Sequence, residues 1–160
     1  MKATIIYHSE SGTTRAVAEN IAKGMIEEGL EVKCFSIDDV DADWANGSCC
    51  LIMGTPVYSA DVSGKMKMFL EKMPGLNVAG KLGGAFATAN YAYGGGELAL
   101  QTILTHMMVR GMLVYSGGGA AGKPIIHLGP VVCKQAADCL EDVQTDWGRR
   151  MARKAKEIFR

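Results

Sequence analysis

Five short runs, several of them apolar at almost every position, limit what this chain can fold into: Ala3 to His8, Glu31 to Ser36, Cys49 to Gly54, Leu82 to Thr88 and Met112 to Ser116. A strand that is apolar without alternation must be covered on both faces, the condition of a parallel sheet with helices on either side. The segments between the runs carry the helical period. Ala18, Ile21, Ala22 and Met25 form one stripe, Val62, Met66, Phe69, Leu70 and Met73 a second, and Leu100, Ile103, Leu104, Met107 and Met108 a third. A last helix is expected from about Lys134 to Phe159, with Ala137, Leu140, Val143, Trp147, Met151, Ala155 and Ile158 on its core face. The acidic link from Ile37 to Ser48 has room only for a brief helix. This alternation predicts an α/β fold with a doubly wound parallel sheet, helices on both faces and three layers.

At 160 residues the chain fits one domain, 1–160, with no repeat or linker inside it. Lys and Arg number 17, as do Asp and Glu, so no net charge draws in nucleic acid or an anionic membrane. Arg149, Arg150, Arg153, Lys154, Lys156 and Arg160 follow Asp138, Glu141, Asp142 and Asp146, an order that complements a helix dipole. Cys34, Cys49, Cys50, Cys133 and Cys139 include no C-x-x-C pair and read as buried or free thiols; His8, His106 and His127 are too scattered for a metal site. No apolar run approaches ~18 residues and no leader pattern opens the chain, so a cytoplasmic protein is expected.

In such a sheet, ligands bind beyond the carboxyl ends of the strands. The first turn there reads Ser9-Glu10-Ser11-Gly12-Thr13-Thr14. Its hydroxyls, a glycine able to take positive φ and the free N–H groups of the following helix suit a phosphate. The turn lacks both G-x-G-x-x-G and G-x-x-x-x-G-K-[ST], so a monophosphate fits better than a dinucleotide or a triphosphate. An ordinary helix cap would use the same residue types without any ligand. Two further loops should meet it at the same edge: Thr55-Pro56-Val57-Tyr58-Ser59, and Thr88-Ala89-Asn90-Tyr91-Ala92-Tyr93-Gly94-Gly95. Gly117 to Lys123 nearly repeats a nucleotide-binding loop, but Pro124 stands where a magnesium-binding hydroxyl is needed; it is expected to lie near the same pocket as a plain loop.

Hydroxyl-x-hydroxyl-Gly-x-Thr after the first strand resembles the FMN-phosphate signature of the flavodoxin family, matched here by Ser9, Ser11, Gly12, Thr13 and Thr14. Gly54 to Tyr58, followed by Gly64 to Leu70, is similar to the flavin-edge loop and next helix of FMN-dependent NAD(P)H:quinone oxidoreductases of the tryptophan-repressor-binding-protein type. Phe86-Ala87-Thr88, Gly94 to Glu97 and Arg110-Gly111-Met112 extend that similarity over almost the whole chain. The resemblance implies a flavodoxin-like five-stranded sheet of order 2-1-3-4-5, with FMN held by Ser9, Glu10, Ser11, Gly12, Thr13, Thr14, Thr55, Pro56, Val57, Tyr58, Ser59, Thr88, Ala89, Asn90, Tyr91, Tyr93, Gly94 and Gly95. Tyr58 is the stacking candidate, and Tyr91 or Tyr93 would cover a ring face or gate the pocket.

That resemblance further implies an oxidoreductase passing electrons from NAD(P)H through FMN to a quinone or similar acceptor, assembled as a dimer or tetramer. No side chain identifies itself as catalytic. Two features depart from the oxidoreductase pattern: Val109 occupies the position of a histidine near the flavin, and the link Pro74 to Lys81 is short and lacks tryptophan. A flavodoxin-type electron carrier is the alternative reading, and a cofactor-free binding module a second. The zero net charge favours the enzyme, because carriers of this family are usually strongly acidic.

Overall fold

A computed structural model describes residues 1–134 and 141–160. In chain order the elements are β1 (Lys2–Tyr7), α1 (Thr13–Glu27), β2 (Glu31–Ser36), α2 (Ala42–Asn46), β3 (Cys50–Tyr58), β4 (Asp61–Val62), α3 (Gly64–Lys72), β5 (Leu82–Ala89), α4 (Gly96–Val109), β6 (Leu113–Val114), β7 (Val131–Cys133) and α5 (Glu141–Ile158). The main sheet runs β2-β1-β3-β5-β6, all parallel, which is the expected order with the five strands renumbered.

The unbroken apolar runs are explained by two cores. Successive strand residues point to opposite faces. Ile5, Ile52 and Phe86 therefore join Val17, Ile21 and Met25 of α1 and Trp147 and Met151 of α5 on one side. Ile6, Leu51, Met53 and Ala85 join Met66 and Leu70 of α3 and Leu100, Ile103 and Met107 of α4 on the other. At the centre of the first layer α1 and α5 touch backbone to backbone: a Cβ on Gly24 would lie 2.0 Å from the Thr145 carbonyl oxygen, and one on Gly148 2.2 Å from that of Ile21.

Three expectations change. The outer strand is split: β6 pairs with the start of β5 at Leu82 and Gly83, whereas β7 pairs with its end at Ala87 to Ala89. Residues 116–129 leave the sheet between them. Their first part lies along α5, where Trp147 Nε1 donates to the Ser116 carbonyl at 2.7 Å and Arg150 donates to those of Gly117 and Gly122, both at 3.2 Å. The Gly117–Pro124 loop is thus held at the sheet's side, away from the ligand edge. Met108 and Ile158, assigned to core stripes, are exposed: Met108 lies beside the packed stripe of α4, and Ile158, though in line with Met151 and Ala155, is the last residue of α5. Ala137, Leu140 and Cys139 fall outside the described residues. Among the described residues, no helix is long and apolar enough to cross a membrane.

Candidate functional site

Beyond the carboxyl ends of β1, β3 and β5 lies a cleft of about 260 Å³, lined by Glu10, Ser11, Thr13, Thr14, Pro56, Val57, Tyr58, Thr88, Ala89, Asn90 and Lys134. The three loops singled out in the sequence therefore meet. The first is shaped by Gly12, whose φ of 91° turns the chain into α1 without any side-chain cap. Ser9 Oγ accepts the Gly12 N–H at 3.1 Å and the Arg15 N–H at 3.4 Å, bracing the turn, while the Ser11 and Thr13 hydroxyls sit 3.3 Å apart. With glycine as its cap residue, the helix start still presents the Thr13 and Thr14 N–H groups and the positive end of the dipole, the arrangement that receives a phosphate. Thr14 Oγ1 pairs with Thr88 Oγ1 at 2.8 Å, tying the loop to β5.

The second loop is held more firmly. Thr55, fully buried, accepts the Ser63 N–H at 3.1 Å through Oγ1 and donates to the Pro56 carbonyl at 2.9 Å. Ser59 and Ala60 turn the chain between β3 and β4 with φ of 51° and 62°. Positive φ at two non-glycine residues costs about 1 kcal/mol or more each. The turn is pinned by Asp61 Oδ1, which accepts the Val62 N–H and the Thr102 hydroxyl at 2.7 Å each. A Cβ on Gly95 would come within 2.6 Å of Ala60 Cβ, so this glycine admits the turn of the hairpin.

Several expected residues do not line the cleft. Ser9 and Gly12 shape the first turn, Thr55 lies beneath the second, and Ser59 and Gly95 belong to the turn and its neighbour. Gly94 closes a turn by donating to the Tyr91 carbonyl at 3.1 Å. Tyr91 and Tyr93 are 65% and 99% exposed, against 47% for Tyr58, because the 90–95 loop carries them outward. Lys134 was not foreseen: it reaches the cleft through β7, a strand too short to register in the sequence. His8 was weighed only as a metal ligand, yet it is buried with Nδ1 2.7 Å from Ser63 Oγ and Nε2 2.9 Å from Glu10 Oε1. Glu10 also accepts from Lys65 Nζ at 3.3 Å, and these two bonds, Lys65 first, hold its carboxyl below the usual range.

Elsewhere the chemistry is quieter. A larger groove of about 550 Å³ runs between α5 and the 115–124 loop, but Arg149 is paired with Glu27, Arg153 with Glu28 and Lys154 with Glu157. His127 opens on a different groove with Glu97, and His106 packs against Thr102 and Lys67. Burial pushes the Cys34 thiol up to about 12 and raises those of Cys49 and Cys50, which makes them poor nucleophiles. Among the described residues no three His, Cys, Asp or Glu side chains converge on a metal site.

The cleft suits FMN in two respects: a hydroxyl-rich helix start for the phosphate, and a Pro-Val-Tyr wall beside backbone groups for a flat ring. The flavodoxin family model matches residues 5–121. A flavodoxin from Clostridium saccharobutylicum is 44% identical over 160 residues, covering 99% of this chain and all of that one. An NAD(P)H dehydrogenase (quinone) from Cupriavidus metallidurans is 28% identical, covering 80% of this chain and 73% of that protein. Among solved structures, a flavodoxin from the domain Archaea superposes with a TM-score of 0.79 at 26% identity, over 98% of this chain and 99% of that one. The chain belongs to the flavodoxin family, whose cofactor is FMN.

Proposed function

We propose that this protein is an electron carrier of the flavodoxin type. Its phosphate seat is Ser11 to Thr14 at the start of α1, and its ring seat lies between Pro56-Val57-Tyr58 and Ala89-Asn90. Bound there, FMN supplies one- and two-electron redox chemistry. The protein's part is to hold the phosphate on N–H and hydroxyl donors, to press Tyr58 and the Pro56 backbone toward the ring, and to leave one edge open to a partner. Lys134, the one cation among the described residues lining the cleft, adds attraction for the anionic cofactor.

The observation that carries this reading is the 44% identity with a flavodoxin along the whole chain, set against 28% with a quinone dehydrogenase that extends beyond the match. The site agrees with it. Val109, where the oxidoreductase pattern has a histidine, ends α4 at 83% exposure and offers no proton or hydrogen bond. That end is roughly 20 Å along the helix axis from the start of α4. The zero net charge, which pointed to an enzyme, is also compatible with a carrier whose encounter with a partner gains little from long-range steering.

The quinone reductase reading remains as the alternative and is separated by one experiment. FMN-loaded protein is mixed anaerobically with NADH or NADPH and then with a quinone. A carrier is expected to be reduced no faster than free FMN by either nucleotide, and to take up dithionite electrons in two separated one-electron stages. Bleaching by a nucleotide within seconds, followed by reoxidation on adding quinone, would establish the enzyme instead.

A further inference from the structure

The phosphate loop and the ring loop are joined through one buried side chain. His8 follows β1 and is 4% exposed. Its Nε2 meets Glu10 Oε1 at 2.9 Å and its Nδ1 meets Ser63 Oγ at 2.7 Å. From Ser63 the bonds continue, N–H to Thr55 Oγ1 at 3.1 Å and then that hydroxyl to the Pro56 carbonyl at 2.9 Å. Glu10 and Pro56, the two ends of this chain of bonds, both line the cleft. His8, Ser63 and Thr55 between them are all buried.

Chemistry fixes the direction of the bond to Glu10. The Glu10 carboxylate can only accept, so Nε2 carries the proton and donates to it. Ser63 Oγ accepts the Met66 N–H at 3.1 Å as the cap of α3 and still has a proton and a second lone pair to bond Nδ1. This position requires a side chain that donates to Glu10 on one side and bonds the Ser63 hydroxyl on the other.

Building on the FMN reading above, we infer that His8 is a positioning residue that couples the two loops, so that an anion seated on Ser11 to Thr14 strengthens the hold of residues 56–58 on a flavin ring. The cause is repulsion. Glu10 shares the cleft with the anion's seat, and the two negative charges stay apart only while Glu10 remains on His8 and Lys65. An anion therefore tightens the His8–Glu10 bond, and the fixed imidazole in turn fixes Ser63, Thr55 and the Pro56 carbonyl. By linkage a seated ring favours the anion by the same factor. Without the imidazole, Glu10 keeps only Lys65, its displacement by the anion no longer reaches Ser63, and the hairpin loses its tie to the residue that follows β1.

Riboflavin, which lacks the phosphate of FMN, separates the two ligands. Adding inorganic phosphate is expected to strengthen riboflavin binding to the wild type about fivefold or more, the usual span of coupled sites, and less than about twofold in His8→Phe. His8→Gln, whose amide both donates and accepts, should restore part of the effect. Glu10→Ala cuts the link at its exposed end with the core untouched, and should also abolish it. A second readout needs no flavin: phosphate added to ¹⁵N-labelled apo-protein should shift the amides of Thr55, Val57 and Ser63 in the wild type but not in His8→Phe or Glu10→Ala. Absence of coupling in the wild type, or undiminished coupling in a folded His8→Phe or Glu10→Ala, overturns the inference. A wild type that binds neither FMN nor riboflavin removes the FMN reading itself, and the apo-protein amide shifts then decide the His8 link separately.

Discussion

Residues 55–63 and residues 91–95 leave neighbouring strands at the same edge of the sheet, and they are built on opposite plans. The first is tied at Thr55, Ser63 and Asp61, with partners just after β1 and in α4. The second is held at its tip by a local turn bond from the Gly94 N–H to the Tyr91 carbonyl, joins α4 through Gly95, and presents Tyr91 and Tyr93 to solvent. A cofactor seat needs fixed geometry, whereas a surface that meets varied partners tolerates and uses mobility. Under the proposed function, the contrast gives the ring seat to the tied loop and partner contact to the open one.

Substitutions can break that contrast, and the largest effect should come at the root of the tied loop. A Cβ on Gly54 would lie 1.9 Å from Phe86 Cζ, with both residues buried. Gly54→Ala must displace the ring and is expected to cost about 3 kcal/mol, read from the denaturant midpoint. Next comes Thr55→Val, which leaves the Ser63 N–H and the Pro56 carbonyl without their buried partner; a loss of about 2 kcal/mol is expected. Thr55→Ser should recover most of that stability and the FMN affinity with it. Replacing both Thr13 and Thr14 with Ala removes two hydroxyls from the phosphate seat, and FMN affinity by fluorescence titration should fall about tenfold or more, equivalent to about 1.4 kcal/mol.

The open loop should respond least. Tyr93→Ala is expected to change stability by less than about 0.5 kcal/mol and to leave FMN affinity unaltered, while slowing electron exchange with a redox partner. If instead Tyr93→Ala weakens FMN, the open loop belongs to the cofactor seat and the contrast fails. A smaller effect is expected on the acid side. Because Glu10 is held below the ordinary carboxylate range, the support of its bonds is complete above that range and disappears as pH falls through its lowered value. FMN retention in Glu10→Ala should therefore show a weaker acid dependence than in the wild type, measured by dialysis across that interval.

The fold was legible because its signal is physical and repeated. Runs such as Cys50-Leu51-Ile52-Met53 are buried on both sides, and helix stripes such as Ala18, Ile21, Ala22 and Met25 face one core. The split outer strand was not legible. Val131 to Cys133 pairs only because β5 extends beyond β6, and nothing local distinguishes three apolar residues after Pro130 from a loop. In the site, Ser11, Thr13, Thr14, Pro56, Val57, Tyr58, Thr88, Ala89 and Asn90 could be named in advance because topology brings three strand ends together. The same rule says nothing of Lys134, whose placement depends on β7. It is equally silent on Gly94 and Gly95, which serve a turn and the approach of Ala60. Nor could it connect His8 with Ser63, since that bond spans 55 residues of sequence.

The central claim is that FMN sits in the cleft of the three loops, with its phosphate at the start of α1. Titrating FMN into ¹⁵N-labelled apo-protein tests it most directly. The account predicts that the largest amide shifts fall on Ser11 to Thr14, Val57, Tyr58, Ala89 and Asn90, with the 117–124 loop unmoved; shifts centred on that loop or on the α5 groove, or none in the Ser11 to Thr14 turn, would contradict it.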